Sequence, residues 1–145
     1  MPIKSFRGSI ADGSQDTIVL HTNNGSTGYK IVKFQIMPAE SNNNYECTAK
    51  LYTVQQDVTA IDSVVDFSDQ TLLAAAFTGL ISGGYAGAQT IIHDNMYFNQ
   101  DIYITAQDSS ASQNTNYYIE LEQVKLDLNE NTVATLKDIR NIVSQ

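Results

Sequence analysis

The chain has no tryptophan, one cysteine, two prolines, two histidines and only eight lysine and arginine residues among 145. Each shortage closes off a class of protein. A single thiol, Cys47, cannot form an internal disulfide and has no Cys-x-x-Cys or Cys/His partner, so the pattern supplies neither a disulfide scaffold nor a thiolate metal site. Tyr45, Ala49 and Leu51 share its alternation, which predicts a buried strand thiol. His21 and His93 stand far apart without metal-ligand spacing. A net charge of −8 argues against a nucleic-acid partner, because counterion release requires clustered cations. No apolar run reaches the ~20 residues that cross a bilayer. Residues 1–9 carry Lys4 and Arg7 but no apolar stretch behind them, unlike a secretory leader. The expectation is a soluble chain made in a reducing cytoplasm, with no membrane partner. There is also no GxSxG, no phosphate-binding glycine loop followed by lysine and no HExxH, so neither an enzyme nor a cofactor is expected.

What is present is β pattern. The length fits one domain, 1–145, with enough chain to bury a core. Residues 3–10 alternate loosely and end in the turn cluster Ala11-Asp12-Gly13-Ser14; a short strand follows over 17–22. Asn24-Gly25 supplies the positive φ values of a tight hairpin turn, a better account of Asn24-Gly25-Ser26 than a glycosylation site. Residues 29–37 form the clearest strand, with Val32, Phe34 and Ile36 opposed to Lys33 and Gln35. A second long strand over 45–54 is expected to pair with it as an antiparallel hairpin. Asp62, Asp66 and Asp69 suggest bends or caps, and 71–77 reads as one or two turns of helix starting near Ser68 or Asp69. Gly79, Gly83, Gly84 and Gly87 surround Tyr85 in what reads as a Gly/Ala-rich loop, able to move or to lie flat against a neighbouring subunit. Strand pattern resumes at 90–93, 101–106 and 117–126, where Tyr117, Ile119 and Leu121 oppose Tyr118, Glu120 and Glu122. Short strands with regular turn signals predict a mainly β, antiparallel β-sandwich or jelly-roll-like domain. The final segment changes period. Val133, Leu136, Ile139 and Val143 recur at helical spacing, predicting a C-terminal helix over about 129–143. An isolated helix shorter than ~12–15 residues is marginal in water, so its stripe must dock on its own domain or on a neighbour.

The candidate sites are therefore surfaces. Asp94 with Asp101, and Asp62 with Asp66 and Asp69, offer oxygen ligands of the kind calcium takes, but loop acids more often cap and turn. Eight tyrosines without tryptophan favour protein contacts over a sugar platform, since tyrosine is enriched at interfaces. Tyr103 is expected outward between inward Ile102 and Ile104. The interface candidates are Tyr85, Tyr103, Leu136, Ile139 and Val143.

Several stretches taken together resemble small virion proteins of marine tailed bacteriophages, cyanobacterial phages among them. They are Phe6-Arg7-Gly8 with Ala11-Asp12-Gly13, Thr22-Asn23-Asn24-Gly25, and the run from Thr27-Gly28-Tyr29 to Phe34-Gln35-Ile36. Asp66-Phe67-Ser68-Asp69, Phe98-Asn99-Gln100-Asp101-Ile102-Tyr103, and the ending from Asn116-Tyr117-Tyr118 to Lys137-Asp138-Ile139-Arg140 belong to the same likeness, which covers most of the chain. The resemblance implies a structural role and carries no catalytic residue. It leads to the expectation of a head decoration (cement) protein in the virion, made in the host bacterial cytoplasm. Such a protein would associate with itself, as a trimer, and with other virion proteins such as the major capsid protein. A neck, tail or fibre-adaptor subunit is the structural alternative; a carbohydrate- or host-surface-binding module is the alternative from another class.

Overall fold

The computed structural model describes residues 2–20, 26–40, 44–81, 84–93 and 97–126, with backbone alone at 81 and 84–86. Its elements in chain order are β1 (Ile3–Ile10), β2 (Ser14–Ile18), β3 (Thr27–Pro38), β4 (Tyr45–Tyr52), a 3-10 turn (Val58–Ala60), β5 (Leu72–Ile81), β6 (Gly84–Ile92), β7 (Ile102–Asp108) and β8 (Thr115–Lys125). They form two antiparallel sheets, ordered β1-β8-β3 and β2-β7-β4-β5-β6. The fold is mainly β, as the alternation predicts. No α-helix occurs among the described residues. The helix expected over 129–143, with Leu136, Ile139 and Val143, lies outside them.

The three-stranded sheet is organised on β8. Its strict alternation places Tyr117, Ile119 and Leu121 inward and buried. Ile119 sits between Phe6 of β1 and Phe34 of β3, a cross-strand row of the aromatic and β-branched side chains that pack best on a pleated face. The opposite face is a charge ladder, in which Lys30 reaches Glu122 at 3.5 Å and Lys33 pairs with Glu120 in register. Strand β3 departs from simple alternation. A bulge between Ile31 and Lys33 turns Val32 out to solvent and lets both Ile31 and Phe34 face the core. Val32 therefore does not share a face with Phe34.

In the five-stranded sheet β4 lies at the centre. Cys47, Ala49 and Leu51 form its inner row, flanked by Ala106 and Ile104 of β7 and by Ala76 and Ala74 of β5. Cys47 is a fully buried free thiol, as predicted.

Three expectations from local pattern are overturned. Strands β3 and β4 do not pair: β3 ladders onto β8 and β4 onto β5 and β7, so Pro38 and Tyr45 belong to different sheets. Residues 71–77 are not helical but lie largely in β5. Leu72-Leu73-Ala74-Ala75-Ala76 has high helix propensity, yet all five residues are buried, so both faces of the strand are covered. A doubly covered strand reads as a continuous apolar run without alternation. The glycine-rich stretch around Tyr85 is a β5–β6 ladder, not a loop, with Gly79 paired to Gly87.

The 53–71 segment is fastened to the outer face of β4. The Thr53 amide donates to the Thr71 carbonyl at 2.9 Å, and Gln15 and Gln56 clasp reciprocally through side chain and backbone. Lys50, only 5% exposed, donates to the Val64 carbonyl at 2.6 Å and to Asp62 Oδ1 at 3.2 Å, with its ammonium 5.9 Å from the Tyr52 ring centroid. The Asp62 side chain is 59% exposed, so water takes over when the lysine is lost. Lys50→Met is accordingly expected to change global stability by less than about 1 kcal/mol. It should also speed amide exchange and proteolysis over 57–68, which hydrogen-exchange mass spectrometry would read.

Candidate functional site

The structure separates the sequence-derived site residues. Tyr103 lies on β7 opposite Thr17 and Tyr52, half-buried on the outer face, while Ile102 and Ile104 are fully buried. Burial, then the nearby Asp101 carboxylate, pushes its phenol pKa up. Tyr85 lies on the edge strand β6, in register with Leu80. Leu136, Ile139 and Val143 are outside the described residues, as are His21 and Asp94.

The carboxylates of the 53–71 segment do not converge. Each accepts from the residue two positions on: Asp57 from Thr59, Asp62 from Val64, Asp66 from Ser68 and Asp69 from Thr71, at backbone distances of 2.9–3.0 Å. These are Asx turns, in which a short acid mimics a turn carbonyl. Hydrogen bonds from Thr59 and from Ser68 hold Asp57 and Asp66 below the usual carboxylate range. The four acids organise backbone; among the described residues no group of three His, Cys, Asp or Glu is placed to hold a metal. Two of these turns carry an apolar residue at the tip: Val58 is 57% and Phe67 is 56% exposed. The Phe67 ring meets His93 edge-on at 5.3 Å, next to the end of β6.

A groove opens where the two sheets diverge. Its volume is about 750 Å³, and it is lined by Gly8, Ile36, Met37 and Tyr117 from one sheet and by Thr78, Ala88 and Thr90 from the other. Tyr117 roofs it and donates to Asp16 Oδ2 at 2.9 Å, tying the sheets together. Burial of the phenol and the Asp16 carboxylate raise its pKa. Glycine at position 8 makes room for that ring, since a Cβ there would stand 2.8 Å from Tyr117 Cε2. The groove exists because β6 ladders onto β5 instead of the outer edge of β3, leaving Ala88 and Thr90 exposed.

Asp108 anchors the end of the molecule beyond the groove. It is 1% exposed, and its Oδ1 accepts from the Glu46, Ser110 and Ala111 amides at 3.1, 3.0 and 3.0 Å. Burial opposes its charge, but the Ala111, Ser110, Glu46 and Gln113 amides outweigh it and the pKa is lowered. The site is structural: it joins β4, β7 and the turn into β8.

Two features escaped local reading though both stand in the sequence. No lysine or arginine occurs from 51 to 124, so the five-stranded sheet and its covering segment carry Lys50 as their one described cation. Gly84–Ile92 contains no charged residue at all. The first is visible by counting; the second acquires meaning only once the segment is an edge strand. A scan against protein-family models and a search of curated proteins return no match to this chain.

Proposed function

We propose that the chain is a structural subunit of a tailed-phage particle, folded as a jelly roll. One observation carries the reading. Strand β1 pairs with β8, β2 with β7 and β4 with β5, the pairings left when one long antiparallel hairpin is rolled into two layers. The remaining pair, β3 with β6, face each other across the groove without laddering. Jelly rolls recur in viral capsids and in lectins, and the virion resemblance of the sequence favours the first. The role is head decoration: the protein binds the assembled shell and stabilises it through contacts with the major capsid protein and with copies of itself. The apolar stripe Leu136, Ile139 and Val143 belongs to the same proposal as an assembly contact. Truncation after Leu128 is expected to leave a folded domain that no longer binds particles.

Copy number per particle tests the assignment. Quantitative mass spectrometry of purified virions should find hundreds of copies for a decoration protein and a handful for a neck, tail or fibre adaptor. Absence from purified particles sinks the virion reading. The groove favours a second reading, a glycan-binding module, for which glycan-array binding lost in Met37→Asp is the expected signature.

A further inference from the structure

Among the described residues, two sheets laid as β1-β8-β3 and β2-β7-β4-β5-β6 leave four edges, and three of them are guarded. Strand β1 carries Lys4 and Arg7; β2 is five residues long and carries Asp16. Strand β3 carries Lys30, Lys33 and Pro38, is bulged at Val32, and has Tyr29 already bonded in both directions to Phe98, at 2.8 and 3.0 Å. Charges, bulges, proline and shortness are the devices by which edge strands avoid pairing with another chain. Strand β6 carries no charge and no proline, and over Ala88–Ile92 it has no bulge. Its one bulge, with Ala86 unpaired between Tyr85 and Gly87 and Gly87 at φ 111°, lies at the turn end, and its ladder to β5 is regular from Ala88 to Ile92. Ala88, Gln89, Thr90 and Ile91 are exposed, and a Cβ at Gly87 would meet nothing within 4 Å.

We infer that β6 is a dimerisation edge, against which a second copy lays its own β6 antiparallel across a two-fold axis. The occupant follows from charge and symmetry. Each copy carries −8, so two copies approach at least cost where neither brings a charge, and Gly84–Ile92 is the one uncharged edge. Self-pairing of β1, β2 or β3 would set like charges close across the axis. An antiparallel edge is also complementary to itself in free amides and carbonyls, so a two-fold contact needs no second surface. A two-fold axis at Ala88, the midpoint of the nine-residue strand, sets that residue opposite its own copy. Phe67, beside His93 at the end of the same strand, extends the buried strip. The pairing joins the two five-stranded sheets into one continuous sheet. It replaces the three-fold association expected from the resemblance with a two-fold one. It rests on the self-association in the proposed function but not on virion membership, so particle proteomics and the experiment below fail independently.

Sedimentation velocity on the full chain, from low to high micromolar concentration, is expected to show a concentration-dependent dimer. Ala88→Lys sets two ammonium groups opposite each other at the axis and should halve the sedimenting mass while far-UV circular dichroism stays unchanged. Ala88→Cys should cross-link to a covalent dimer under mild oxidation, because buried Cys47 stays silent, whereas Thr17→Cys on the β2 edge should not. A wild-type chain that remains monomeric throughout overturns the proposal. So does a folded Ala88→Lys protein that still dimerises, or equal cross-linking from positions 17 and 88. Should Ala88→Lys fail to fold, the cysteine pair decides alone.

Discussion

Replacing Asp108 with alanine is expected to cost about 3–5 kcal/mol and to lower the melting temperature by roughly 10–15 °C. The magnitude follows from what is left behind. The amides of Glu46, Ser110 and Ala111 all donate to one oxygen of a carboxylate that is only 1% exposed, so a single substitution removes the shared acceptor of three part-buried bonds. Leaving a buried donor unpaired costs about 1–3 kcal/mol, more than the net gain from making the bond. Asparagine at the same position keeps a carbonyl acceptor and should cost about half as much. The two variants also separate charge from geometry. The folded pKa of Asp108 is lowered, so its ionisation contributes stability that is fully present above its unfolded value near 4. That contribution is lost as the pH falls through the folded value. Wild-type stability should therefore drop more steeply between pH 5 and pH 3 than that of Asp108→Asn, by denaturant titration at both values. Asp57 and Asp66, also held low, add a drop of the same sign that both proteins share. Parallel pH dependence in the two proteins would show that the carboxylate charge at 108 does not matter to folding.

Gly8→Val should destabilise the sandwich by about 3 kcal/mol, through the ring it displaces and not through the strand it joins. Valine is a better strand residue than glycine, so propensity alone predicts the opposite sign. The decisive fact is the paired position: Gly8 faces Tyr117, and any Cβ would stand 2.8 Å from that ring. The ring cannot swing away without giving up its 2.9 Å bond to Asp16 on the other sheet. Tyr117→Leu should remove most of the penalty, so the double variant is expected to be markedly more stable than the sum of the two single changes. Additive effects would place the strain elsewhere.

Much of the sandwich was legible from alternation alone. The inward row Tyr117, Ile119 and Leu121, the buried thiol at Cys47 and the buried pair Ile102 and Ile104 follow from period two, because one face of each strand meets the core and the other meets water. Asp62, Asp66 and Asp69 were legible as bend or cap formers for a similarly local reason, since an Asx turn is complete within three residues; Asp57 does the same without having been singled out. Local rules failed where a strand is covered twice. Leu72-Leu73-Ala74-Ala75-Ala76 has no polar face to mark its period, so helix propensity was the only remaining signal and it pointed the wrong way. The apparent loop around Tyr85 failed for the converse reason: glycine and alanine carry almost no pattern, and only the ladder to β5 orders them.

The residues by themselves determined that this is a β protein with an acidic, lysine-poor stretch from 51 to 124 and no recognisable catalytic motif. Strand existence depends on near neighbours, and a count of charges depends on no structure at all. Partners were decided only by the tertiary structure. That β3 joins β8 instead of β4, that β6 turns to β5 and opens a groove beside β3, and that the uncharged strand β6 ends its sheet among the described residues are all matters of contact between distant segments. Such contacts are selected by how two sheets bury their inner faces together, which no window of sequence contains.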